Sequence, residues 1–273
     1  MKKLAIGIVG CGAIGSSLAK VISKDLSKDA RLVSLYDVDS IKLHSLSKKI
    51  AGSDSLAAAN LKNLISKSAL VIEAASAKCS WDIAREVLSA GKNVMIMSVG
   101  GLVNNFDNLR KLAVKKDCKV YIPSGAISGV DALKAAGVSL IKKVTLTTTK
   151  NPLSFQGVKY VQDKGIKLKL IKKDVVLFSG KAKDAVKFFP QNINVAAVLS
   201  LAGLGVSKTQ VRIIASPKVT KNIHEIRIES VAGNIYTRTE NILHPNNPKT
   251  SYLAVLSAVA TLKNILEPIK IGT

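Results

Sequence analysis

Acidic residues are scarce in this chain of 273 residues: 18 Asp and Glu stand against 41 Lys and Arg, a net charge of +23. Such an excess raises nucleic acid, an anionic surface or an acidic ligand as partners. The lysines are scattered, however. The densest pairs (Lys48-Lys49, Lys115-Lys116 and Lys172-Lys173) have no aromatic residues interleaved, so the charge reads as a basic solvated surface and argues against a nucleic-acid site. Scattered lysines still attract a small anion such as a pyrophosphate or a dicarboxylate. Cysteine is equally rare. Cys11, Cys79 and Cys118 are an odd number at wide spacing, which excludes a disulfide framework and a zinc site and suits a reducing cytoplasm. No metal is expected. Aromatics make up only 4% against a hydrophobic fraction of 47%, as in a globular α/β protein. A membrane-spanning run is also missing. Phe188 to Ser207 carries no charge but contains Pro190, Gln191, Asn192 and Asn194, which a span would not tolerate. Met1-Lys2-Lys3 and the apolar run to Cys11 imitate a short signal peptide, and Ile8-Val9-Gly10-Cys11 a lipoprotein cleavage box. That run is at the bottom of the length range for a signal, and the same residues have a better reading. No internal repeat is present.

Leu4 to Val9 is a short apolar run, as a strand buried on both faces should be. Gly10-Cys11-Gly12-Ala13-Ile14-Gly15 follows at once, and Ile14, Leu18, Val21 and Ile22 then recur at helical spacing. Strand, glycine turn and helix in that order form a dinucleotide-binding fingerprint. The first glycine permits the tight turn, the second lets a pyrophosphate approach the backbone, and the third lets helix and strand pack closely. The helix N-terminus then stabilises the phosphates. A second apolar run ends at Asp37, 22 residues beyond Gly15, where an acid would accept hydrogen bonds from the adenosine ribose. Asp37, with Asp39, should repel the 2′-phosphate of NADP while Lys42 softens the repulsion, so the expected cofactor is NAD with NADP tolerated. Strands at about 69–73, 93–97 and 119–122 alternate with helices at about 81–88 and 106–114, the grammar of a parallel doubly wound sheet. The strand ends carry small residues: Ala75 and Ser76, Ser98 to Gly101, and Pro123 to Ala126. A flat nicotinamide and its ribose could lie against them.

The grammar changes after Gly129. Val144 to Thr149, Lys167 to Phe178, Val211 to Ala215, Asn222 to Glu229 and Ile235 to Arg238 read as strands, and Pro152 to Ile166 as a loop. Pro190 opens an apolar helix running to about Leu204. Within it Asn194 lies too far in to be only a cap, and its amide offers both donor and acceptor to a nicotinamide carboxamide. Pro248 sits at the start of a last helix. The expected fold is therefore α/β: a Rossmann-type doubly wound parallel sheet over residues 1–125, plus a second α+β domain with a mixed sheet over residues 126–247, for substrate, catalysis and oligomerisation. The final helix, about 248–266, packs back on the first. A dehydrogenase commonly needs a proton acceptor, for which His is suited. Of three histidines, His44 lies in a polar helix and His244 in a loop before Pro245. His224 lies on the apolar face of a period-two strand, where it reads first as a hydrogen-bonded core histidine, with a proton acceptor as the alternative.

Five stretches together resemble one family. They are Gly7 to Gly15, Tyr121 to Ile127, Phe189 to Ala196, Asn222 to Ile226 and Asn247 to Leu253. Over nearly its whole length the chain is similar to the archaeal and bacterial L-aspartate dehydrogenases. The resemblance implies oxidation of L-aspartate to iminoaspartate, which feeds NAD biosynthesis. It implies that His224 is the catalytic histidine, that Ala126 and Asn194 contact NAD, and that the protein is a homodimer or higher homo-oligomer. The Lys-rich region from Pro152 to Lys173 departs from the family. A homoserine dehydrogenase, a dihydrodipicolinate reductase-like enzyme and a non-catalytic dinucleotide-binding regulator are the alternatives.

Overall fold

The computed structural model describes residues 3–189, 194–245 and 247–272, with backbone alone at residues 247–249. The chain divides into two units, Met1–Pro123 with Val255–Lys270, and Ser124–Ala254 with Ile271–Thr273.

In the first unit, β1 (Leu4–Val9), β2 (Ala30–Tyr36), β3 (Leu70–Glu73), β4 (Asn93–Ile96) and β5 (Val120–Tyr121) form a sheet in the order β2-β1-β3-β4-β5. Every pairing is parallel. The order reverses direction beside β1, which places a ligand crevice outside the carboxyl ends of β1 and β3. Between the strands run α1 (Ala13–Ser23), α2 (Ser40–Ala51), α3 (Leu61–Lys67), α4 (Ser80–Ser89) and α5 (Phe106–Lys115). Alternate strand residues face two separate cores. Ile6, Ile8, Leu70, Ile72 and Met95 pack with α1 and α2, while Val9, Val71, Val94 and Ile96 pack with α3, α4 and α5. That two-sided burial explains why the strands are unbroken apolar runs.

In the second unit, β6 (Ile141–Lys150), β7 (Val175–Lys181), β8 (Gln210–Ala215), β9 (Asn222–Ser230) and β10 (Gly233–Asn241) form a sheet in the order β10-β9-β6-β8-β7. It is mixed: β6 and β8 are parallel and the other neighbours antiparallel. Val144, Leu146, Ile226 and Ile228 bury one face. The other presents Thr145, Thr147, Glu225, Arg227 and Tyr236 at partial or full exposure. The helices are α6 (Val130–Ala136), α7 (Lys159–Asp163), α8 (Ala182–Phe188) and α9 (Asn194–Ala202). Phe155, Tyr160, Phe178, Phe188 and Phe189 form one aromatic cluster, with centroids 4.8 to 6.3 Å apart.

Four local expectations need correction. Residues 152–166 are not loop throughout. Pro152–Phe155 is a 3-10 turn, capped by Asn151, and α7 follows. Phe155, Val158 and Val161, spaced three apart, are buried. The strand expected at Lys167 to Phe178 is confined to Val175–Lys181. Val130–Ala136 is helical where none was expected. Pro248 does not begin the last helix: Asn247–Ser251 is a short strand, β12, paired with β11 (Leu243–His244). The helix α10 starts at Tyr252 and runs to Leu266, and its Ala258 and Leu262 are fully buried in the first unit's α1–α2 core. The start of the helix expected from Pro190 lies outside the described residues. α9 begins its description at Asn194.

Candidate active site

Backbone contact forces the glycine turn of the first unit. Gly10 has φ +100°, and a Cβ there would come within 2.5 Å of the Ala74 carbonyl oxygen; a Cβ on Gly15 would stand 1.8 Å from the Gly10 carbonyl oxygen. A side chain at either position would push β1, α1 and the loop after β3 apart. A Cβ on Gly12 would meet nothing within 4 Å among the described residues. The turn is therefore packed tightly on the protein side and open where Gly12 caps α1. This is the space a pyrophosphate needs at a helix N-terminus, lined by Gly12, Ala13 and Ile14.

Two carboxylates hold the loops around that opening. Asp37, just past β2, accepts from Cys11 N at 2.7 Å through one oxygen and from Asp39 N at 2.9 Å through the other. Asp39 caps α2 and pairs with Lys42 Nζ at 2.7 Å. Burial, and then the charge of Asp37, push the Cys11 thiol up to about 12, so Cys11 is not a nucleophile. Glu73, at the end of β3, is completely buried. Its two oxygens accept from Ala75 N at 2.8 Å and Ser98 N at 3.0 Å. Burial raises its pKa, and the backbone N–H donors oppose that rise. Glu73 thus ties the loop carrying the exposed Ala75 and Ser76 to the loop after β4. The sequence reading passed over it. The available signal was an acid ending an otherwise apolar strand.

In the second unit the buried face of the sheet turns polar at one end. Thr148 of β6, His224 of β9 and Thr239 of β10 are direct neighbours across three strands. Beyond these, Thr149 pairs with Ile223; Lys150 ends β6, and Asn222, at the start of β9, has Asn241 as its β10 partner. His224 Nδ1 lies 3.0 Å from Thr148 Oγ1. The Asn241 amide donates to the Ala126 carbonyl at 3.0 Å, and the Thr239 hydroxyl lies 3.2 Å from the same oxygen and 3.4 Å from His224 O. His224, Lys150, Asn222, Asn241 and Thr148 are all buried. The Asn241 side-chain oxygen is buried and has no hydrogen-bond partner among the described residues. His224 and Ala126 are thereby brought together. Asn194 opens the described part of α9, with its side chain exposed. Of the other histidines, His44 is exposed and bonded to Asp54. His244 is buried, with its ring against Tyr252.

Two bases are buried on one face, and burial disfavours the proton on each. Burial lowers Lys150 to about 8. Burial, and then the Lys150 charge, lower His224 to about 3. The charge effect falls on the imidazole alone because His224 is already neutral when Lys150 titrates. At neutral pH the site holds a cation beside a neutral imidazole. When Nδ1–H donates to Thr148, the Nε2 lone pair is free to accept a proton.

Residues 131–265 match the family model described as the C-terminal domain of aspartate dehydrogenase, and residues 10–123 the one described as the NAD-binding domain of homoserine dehydrogenase. The chain is 44% identical to an L-aspartate dehydrogenase of Methanosarcina barkeri, over 99% of this chain and all of that one. It is 39% identical to one of Nitrosopumilus maritimus over the full length of both. The crystal structure of aspartate dehydrogenase from Thermotoga maritima superposes with a TM-score of 0.74 at 28% identity, covering 99% of this chain and 100% of that chain. A homoserine dehydrogenase from Thiobacillus denitrificans shares the fold, with a TM-score of 0.65 at 13% identity over 97% of this chain and 74% of that one. Among the described residues no helix is long and apolar enough to cross a membrane.

The lowered pKa of His224 predicts a pH dependence. Between about 3 and its ordinary 6.5 the unfolded state binds a proton that the folded state refuses. Stability is therefore lost as pH falls through that window, at up to about 1.4 kcal/mol per pH unit. In denaturant melts across this range, His224→Gln should show a shallower slope than the parent protein. An equal slope would contradict a buried neutral imidazole.

Proposed function

Because this chain belongs to the L-aspartate dehydrogenase family, we propose that it oxidises L-aspartate to iminoaspartate, with His224 as proton acceptor. Iminoaspartate hydrolyses to oxaloacetate and ammonia or passes, in the cytoplasm, to NAD biosynthesis. The observation that carries the reading is the neutral His224 imidazole, oriented by Thr148, with the buried Lys150 on the same sheet face. Bound NAD supplies the hydride acceptor for the substrate Cα. Gly10, Gly12, Ala13, Ile14 and Gly15 bind its pyrophosphate, Asp37 its adenosine ribose, and Ala75 and Ser76 line the loop held by Glu73. Ala126 and Asn194 are the second unit's cofactor contacts. His224 Nε2 takes a proton from the substrate ammonium or from the attacking water, while holding the substrate in register contributes several kcal/mol.

A homoserine dehydrogenase or a dihydrodipicolinate reductase would share the first unit. The fold is shared with homoserine dehydrogenase; the sequence of the second unit favours the present reading, because it matches the aspartate dehydrogenase C-terminal family model. A regulator that performs no chemistry has no use for a buried histidine–lysine pair. The chain acts as a homodimer or higher homo-oligomer. The partly exposed sheet face of Thr145, Thr147, Arg227 and Tyr236 supports this assembly. Sedimentation of the purified protein should give at least twice the mass of one chain, and a monomer at assay concentration overturns the assembly.

The cofactor should be NAD in preference to NADP. Asp37 places a negative charge at the ribose site, and Lys42 is already engaged by Asp39. Asp37→Ala should narrow the ratio of NAD to NADP affinity about tenfold or more, a hydrogen bond to a charged group being at stake. A parent protein that prefers NADP, with a ratio the substitution leaves alone, removes Asp37 from the ribose.

His224→Ala should lower turnover, read as oxaloacetate and ammonia, by roughly 10² to 10⁴, the range for one acid–base group. Some stability, about 1–3 kcal/mol, goes with it because Thr148 loses a buried partner. Melting temperature and kcat measured on one preparation separate the two effects. A destabilised variant whose folded fraction keeps its kcat makes His224 a core residue only.

A further inference from the structure

The first unit holds a buried acid that hydride and proton transfer leave unused. Glu73 ends β3 and is 0% exposed. It accepts from Ala75 N at 2.8 Å through one oxygen and from Ser98 N at 3.0 Å through the other. Two accepting oxygens are the pattern of an ionised carboxylate; a protonated one would turn an oxygen into a donor facing an N–H. Burial raises its pKa, and N–H and hydroxyl donors, those of Ser98 and Ala75 foremost, oppose the rise, with no charged group among the described residues taking part. An anion is thus fixed in the interior by hydrogen bonds from neutral groups. The two loops it joins also touch directly. A Cβ on Gly101 would stand 2.0 Å from the Ala77 carbonyl oxygen and 2.3 Å from Ser80 Oγ, so the chain after β4 rests closely on the chain after β3.

The strand order β2-β1-β3-β4-β5 decides which half of the cofactor these loops meet. Asp37, just past β2, takes the adenosine ribose, and the opening beside Gly12, after β1, takes the pyrophosphate. In the same direction the remaining half of the dinucleotide runs over the ends of β3 and β4. Resting on that placement of NAD, we propose that Glu73 is a positioning residue for the nicotinamide half and that its negative charge favours the oxidised ring over the reduced one. The two forms differ in charge: the oxidised nicotinamide is a cation and the reduced ring is neutral. A carboxylate held beneath the loops attracts the first and not the second, and the interior screens that attraction weakly. Being completely buried, Glu73 acts through its field and through the Ala75 and Ser98 loops, without touching the ring. The bound cofactor becomes a weaker oxidant, and the reduced, neutral form leaves more readily.

The test compares Glu73→Gln and Glu73→Asp with the parent protein, measuring the affinities of NAD, NADH and ADP-ribose by calorimetry. Glutamine keeps the shape, removes the charge and turns an amide donor towards one of the two backbone N–H groups. It should weaken NAD about tenfold more than NADH, the size of one charge acting at close range in a protein interior. That ratio raises the potential of the bound pair by about 30 mV. ADP-ribose has the adenosine and the pyrophosphate but no nicotinamide, and its affinity should stay at the parent value. Aspartate keeps the charge but is too short to reach both N–H groups. NAD and NADH should therefore weaken together in Glu73→Asp, with their ratio kept. Equal losses of NAD and NADH in Glu73→Gln overturn the role of the charge. A loss of ADP-ribose affinity as large as that of NAD makes Glu73 a support for the whole unit and overturns the positioning role. Should Glu73→Gln not fold, Glu73→Asp decides: parent affinities for both cofactor forms, or a shifted ratio, sink the proposal. A parent protein that binds ADP-ribose and NAD equally well removes the nicotinamide from these loops, and one that binds neither refutes the cofactor reading itself. None of these measurements depends on turnover of L-aspartate.

Discussion

A lysine and a histidine buried two residues' reach apart on one sheet face set the terms for the second unit. Either base would keep a proton near neutral pH in water; together, out of water, they cannot both be charged. Burial takes Lys150 to about 8 and leaves it mostly a cation at neutral pH, and that cation helps hold His224 down at about 3. The pair is tolerated because sheet register surrounds it with Thr148, Asn222, Thr239 and Asn241 in place of aliphatic side chains. The fold contributes by making β6 and β9 antiparallel neighbours, so that residues 76 positions apart meet at 3.0 Å.

The first unit solves a different problem, holding four loops still at the carboxyl ends of parallel strands. Close backbone approach does part of this: Gly10 against Ala74 and Gly15 against Gly10 leave no room for a side chain. Carboxylates do the rest. Asp37 holds the glycine turn through Cys11 N, and Glu73 spans the loops after β3 and β4. Each spends both oxygens on backbone N–H groups, strong acceptors matched to donors that would otherwise be lost. The opening beside Gly12 is preformed as a result, and a dinucleotide entering it needs little reordering of the chain.

How far this was legible in the residues depended on whether the signal was local. Parallel strands buried on both faces are apolar runs, and the glycine turn with Asp37 at fixed spacing is a local pattern, so the first sheet and its glycine turn could be read directly. His224 could be named from the resemblance, while its strand pattern alone placed it in a core, and it is indeed buried. Lys150 could not be chosen among 41 Lys and Arg, because its burial in the folded sheet is what distinguishes it. Glu73 escaped because its partners are backbone amides, one of them 25 residues away. Pro248 misled for a local reason: proline is at home at a helix start, but Asn247–Ser251 pairs with Leu243–His244 first. Phe155, Val158 and Val161 were readable and were obscured by the lysines around them.

The measurement closest to the centre of this reading is spectrophotometric reduction of NAD by the purified protein, with each of the twenty L-amino acids and with L-homoserine. L-aspartate should be oxidised with a kcat/KM at least 10²-fold above any other, because only it supplies a short dicarboxylate to a site with a buried cation beside a neutral base. Turnover of L-homoserine in its place, or no NAD reduction with any of them, would contradict it.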